Sequence, residues 1–87
     1  VTPDEALADI RGYAFAGRVT YAVPHALNSM RKRGATKRDV VFGLARAKGC
    51  VHEPAVDRWR VSCLDTDGDE LTVIVEIDDG LLVVTAF

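Results

Sequence analysis

Eighty-seven residues make one domain, 1–87, with a single modest core, and an apolar share of 48% is ordinary for a globular chain. No apolar run reaches the roughly 18–20 residues that cross a membrane, and no basic stretch followed by an apolar one marks a signal peptide, so a cytoplasmic protein without membrane contact is expected. The net charge of −2 rules out a uniformly basic nucleic-acid binder but conceals a division: nine cations and one acid between Arg11 and Lys48, then seven acids and no cation between Val61 and Phe87.

The first element is a helix. Thr2 is its cap, Pro3 its first position, Glu5 completes a capping box, and Gly17 stops it. Arg18 to Val23 alternates apolar and polar residues and reads as a short strand or an extended link. A second helix runs from about Pro24 to Arg33, with Pro24 in its first turn, His25 next to it and Gly34 as C-cap. Thr36 and Asp39 form an acidic capping box for a third helix, from about Lys37 to Ala47. Gly49 ends it, and the period changes from helical to two-fold.

Cys50 to Glu53 is a short strand stopped by Pro54. Asp57 to Asp65 is a longer one, with Trp59, Val61 and Cys63 on one face and Arg58, Arg60, Ser62 and Leu64 on the other. Two acidic turns, Asp65 to Asp69 and Asp78 to Gly80, separate it from strands Leu71–Ile77 and Leu81–Phe87. Helices followed by a strand meander predict an α+β domain, with N-terminal helices packed on one face of a small antiparallel sheet. With Trp59 in the core, unbroken alternation would turn Leu82, Val84 and Ala86 inward and put Thr85 on the face of Arg60; a bulge would reverse the order.

Few residues point to chemistry on their own. The acids of the first turn fall at EF-hand positions one, three and five, but Gly68 is fourth where the loop needs glycine sixth, and the flanks read as strands; a solvated hairpin is the reading. Cys50, Cys63 and two histidines lack zinc spacing, so reduced thiols, no metal and no cofactor are expected. His25 is an exposed helix-start residue, a hydrogen-bonded one, or a catalytic acid or base; the positive end of a helix repels a second positive charge, which suits a ring that accepts a proton. Arg58 and Arg60 either clamp a phosphate or pair across strands with Glu76. The charge division offers a polyanion the helical half and a basic partner the acidic half, unless the charges only solvate helix faces and turns.

The block His25-Ala26, Met30, Arg33-Gly34-Ala35-Thr36, Asp39-Val40 and Leu44, with the closing Val83-Val84-Thr85-Ala86-Phe87, resembles a small bacterial family defined as a domain of unknown function (number 4258). That family is similar to the MqsR- and RelE-like toxins, compact α+β endoribonucleases of toxin–antitoxin systems. The resemblance covers the chain from about His25 onward. It implies a RelE/MqsR-like fold and metal-independent cleavage of RNA, in which a 2′-hydroxyl attacks the adjacent phosphate. On this reading His25 is the general acid or base, Arg60, or else Arg58, stabilises the phosphorane charge and Thr85 lines the site, while Arg31, Arg33, Lys37 and Arg58 hold RNA. RNA and a cognate antitoxin are then the partners. The alternative is a non-catalytic interaction module that binds a protein through its charge asymmetry, in which these residues need not converge.

Overall fold

The computed structural model describes residues 1–87, whose elements run α1 (Pro3–Phe15), β1 (Val19–Tyr21), α2 (His25–Arg33), α3 (Lys37–Ala45), β2 (Gly49–Glu53), β3 (Arg58–Leu64), β4 (Glu70–Ile77) and β5 (Leu81–Ala86). Local chemistry sets the helix ends. Thr2 and Glu5 satisfy each other's backbone N–H at the start of α1, and Thr36 and Asp39 do the same for α3. Gly34 closes α2 in the left-handed region, at φ 78°. Pro24 is the N-cap of α2 rather than its first helical residue, which leaves His25 to open the helix. Helix α3 stops at Ala45, two residues short of the expected end, and Arg11 of α1 donates to the Ala47 carbonyl just beyond it.

The five strands form one mixed sheet in the order β1-β5-β4-β3-β2. From β2 to β5 the pairs are antiparallel, as expected, but β1 lies parallel to β5 and falls between α1 and α2. The sheet is therefore not purely antiparallel, and the helices do not all precede the strands. The ambiguous segment after α1 supplies the extra strand because the edge of β5 needs a partner: Leu81 donates to the Arg18 carbonyl and Ala22 to the Val83 carbonyl, both at 2.9 Å. Gly80, at φ 142°, permits that approach, since a Cβ there would stand 3.2 Å from the Arg18 carbonyl oxygen.

Helices α1 and α3 cover one face of the sheet. Ile10, Val40 and Leu44 pack there against Trp59, Val61, Val73, Val75, Leu81 and Val83. At Gly43 the backbone of α3 comes so close to β3 that a Cβ would lie 2.8 Å from the Cys63 sulfur and 2.9 Å from the Leu64 carbonyl oxygen. Gly43→Ala, which would favour the helix by propensity alone, is expected instead to destabilise the domain by about 1–3 kcal/mol through overpacking. Urea unfolding checks this; an unchanged or higher midpoint would show that α3 can retreat freely.

Strand β5 departs from simple alternation. Leu81 and Val83 face the core, the register shifts opposite Ile74 and Val75, and Ala86 then faces the core again. The bulge absorbs Val84, so Thr85 pairs with Ile74 on the uncovered face. The expected inward trio Leu82, Val84 and Ala86 is thus corrected to Leu81, Val83 and Ala86, while Thr85 does share the face of Arg60.

Candidate functional site

The uncovered face is organised by rows. Arg60 on β3 pairs with Ile74 on β4, and Ile74 with Thr85 on β5, so Arg60 and Thr85 stand two strand spacings apart, about 10 Å. In the next row Phe87 and Thr72 exchange two backbone hydrogen bonds of 2.8 Å. The Arg60 guanidinium reaches diagonally over the sheet to 5.5 Å from the centre of the Phe87 ring. Its contact with Glu53 on the other side is a loose 3.8 Å.

Helix α2 completes this face. Strand β1 ends after three residues, and α2 takes its place along β5. Ser29 is the tie: its hydroxyl accepts from the Ala86 N–H at 3.2 Å and donates to the Ala26 carbonyl at 2.9 Å. Between α2 and the last residues of β5 lies a groove of about 300 Å³ lined by Ser29, Lys32, Arg33, Thr85, Ala86 and Phe87. Its rim is cationic because the last turn of α2 carries Arg31, Lys32 and Arg33.

His25 lies one turn before Ser29, on the same side of α2, between the Ala22 and Ser29 anchors to β5. It is exposed and lines no cavity. The structure thus brings Arg60 and Thr85 onto one face and His25 to the edge of the same strand, without a hydrogen bond joining the three.

The four residues expected to hold RNA have different situations. Arg31 is exposed. Lys37 lies over the Tyr21 ring, 5.0 Å from its centre. Arg58 donates to Glu76 at 2.8 Å, so of its two readings the cross-strand pair is the one formed. Arg33 donates to Asp65 at 3.1 Å and to the Glu70 carbonyl at 2.7 Å, tying the end of α2 to the turn between β3 and β4. Lys32 and Phe87 were not singled out from the sequence, although His25, Ser29 and Lys32 repeat at i, i+4 and i+7 and so mark one side of a helix.

Behind the site sits a carboxylate network. Asp39 is buried and accepts from the backbone N–H and hydroxyl of Thr36 with one oxygen, and from those of Thr66 with the other. The backbone N–H of Thr36, then the Thr66 hydroxyl and N–H, hold its carboxyl well below the usual carboxylate range against the opposing effect of burial. Asp65 accepts from the N–H groups of Asp67 and Asp69 with one oxygen and faces Arg33 with the other. The Asp69 N–H, more than Arg33, lowers its titration. Asp65, Asp67 and Asp69 have oxygens within 4.8 Å of one another, but the bonds of Asp65 are those of a closed hairpin turn.

No family model matches this chain, and no curated protein or solved structure shows significant similarity to it.

Proposed function

We propose that this chain is an RNA-cleaving domain of the toxin–antitoxin type with a RelE/MqsR-like architecture. It acts without metal, by attack of a 2′-hydroxyl on the adjacent phosphate. One observation carries the reading: a sheet face, uncovered by α1 and α3, that holds Arg60 and Thr85 in one row beside the cationic end of α2. Arg60 has only a loose acidic partner, so its guanidinium is free to meet phosphorane charge. Thr85 supplies a hydroxyl to the ribose-phosphate backbone, and His25, at the edge of β5, moves the proton. Purified protein is expected to cut mixed RNA in excess chelator, with Arg60→Ala and Thr85→Ala slower. A wild-type protein that leaves RNA intact under these conditions would refute the reading.

The binding half of the proposal has its own signature. Arg31 is exposed and Lys32 lines the groove, and neither makes a salt bridge. Each phosphate neutralised on a single strand contributes about −0.7 to the slope of log affinity against log salt. Replacing both Arg31 and Lys32 with Gln should therefore flatten that slope by about 1.4. An unchanged slope would make them solvated cations only. Arg33 is left out of this test because its loss also unties the turn.

A second reading, a non-catalytic module that docks a protein such as an antitoxin, is favoured by a different observation. Strand β2 is an outer strand of the sheet, and its Val51 is 63% exposed on the face of Arg60.

A further inference from the structure

We infer that Phe87 is a stacking platform for one unpaired base of the RNA, and that Arg60, which now lies across the ring, is the arm that moves onto the neighbouring phosphate; the inference rests on the RNA-directed reading above. Phe87 is a large apolar residue left 51% exposed. Its backbone is fixed, because its N–H and carbonyl are both bonded to Thr72. Its ring is therefore offered to solvent from a fixed backbone, on the same face as Arg60 and Thr85.

The Arg60 guanidinium is a flat, delocalised group 5.5 Å from the ring centre, and such groups and nucleobases stack on the same aromatic faces. Arg60 thus marks where a base would lie. Little holds it there: its side chain is 51% exposed and its acidic contact is 3.8 Å away. A base that takes the ring face releases the guanidinium toward phosphate. On the other side of Phe87 the groove is lined by Lys32, which makes no salt bridge, so the backbone on both sides of the stacked nucleotide meets a cation. Only an unpaired base exposes its flat face, so the substrate class is single-stranded RNA rather than duplex. An acidic peptide would use the cations and gain nothing from the ring.

The test uses a labelled single strand of about eight 2′-O-methyl nucleotides, which binds without being cut, followed by fluorescence anisotropy. Phe87→Ala and Phe87→Leu are each expected to weaken binding about 5- to 100-fold, with thermal unfolding unchanged because the ring is exposed. Phe87→Trp should keep the affinity, and its indole emission should be quenched by the strand; the one native tryptophan, Trp59, is buried, and its emission, recorded from wild type, is the background to subtract. A Phe87→Leu protein that binds like wild type overturns the stacking role, as does a duplex that binds as tightly as the strand. If wild type cuts RNA and Phe87→Ala cuts it with the same kcat/KM, stacking fails and the cleavage reading stands. If wild type neither binds nor cuts RNA, both fail together.

Discussion

Replacing His25 with alanine should lower RNA cleavage about 100- to 10,000-fold, the contribution of a positioned histidine acting as acid or base. The fold should not notice. His25 is exposed, makes no side-chain hydrogen bond and sits at the first position of α2, where alanine is a good helix former. Surface changes of this kind stay within about 0.5 kcal/mol, so the melting temperature should move by less than about 4 °C. The control is built into the molecule. His52 on β2 bonds to Asp57 at 2.8 Å and stacks near Trp59, closing the β2–β3 hairpin away from the α2 groove. His52→Ala should leave cleavage intact. Loss in both variants would point to a general structural effect. Retention in both would remove His25 from the chemistry and favour the docking module.

The second large effect is on stability. Asp39→Ala removes the carboxylate that accepts from the Thr36 and Thr66 N–H groups, while the Thr36 hydroxyl still accepts from the backbone N–H of residue 39. Thr36 and Thr66 are exposed, so water takes up the freed N–H groups, and the lost bonds to a charged acceptor are expected to lower stability by about 1–3 kcal/mol in urea unfolding at neutral pH. The pH dependence follows from the lowered titration of Asp39. A carboxylate whose folded value is depressed stabilises the fold above its unfolded value, near 3.9, and that contribution is lost as pH falls toward the folded value. Asp65 acts in the same direction. Wild type should therefore weaken steadily below about pH 4, and Asp39→Ala should weaken less steeply over that range. Parallel profiles for the two proteins would show that Asp39 is bonded no better in the folded chain than in the unfolded one.

The helices were legible because their signals are local. Thr2 with Glu5, Thr36 with Asp39, and Gly34 each act within one turn, and each formed as read. The face of Trp59, Val61 and Cys63 was legible because β3 alternates without interruption. Strand β1 was ambiguous because its partner is 62 residues away in sequence, and three residues carry too little pattern to name a parallel mate. The face of β5 was half legible. Its bulge leaves no mark in Leu81-Leu82-Val83-Val84, where every side chain is apolar and either register could be buried. The same limit applies to the site. The cations of α2 are evident in sequence, but that Arg33 is spent on Asp65 and Glu70 while Lys32 lines the groove depends on where a distant turn lands.

The parallel pairing of β1 with β5 also bears on how this protein is made. Val19 meets Leu81, so every strand from β2 to β4 lies inside the loop that this contact closes, and closing it is entropically costly and slow. The meander of β2, β3 and β4 needs only neighbouring turns and can assemble during synthesis. Thr85 and the groove beside α2 depend on β5, which follows that meander in the chain. The cationic last turn of α2 is therefore made well before the strand that completes the groove beside it. Pulse-labelling hydrogen exchange should show β3–β4 amides protected before those of β1 and β5; protection of all at once would mean that the sheet closes in a single step.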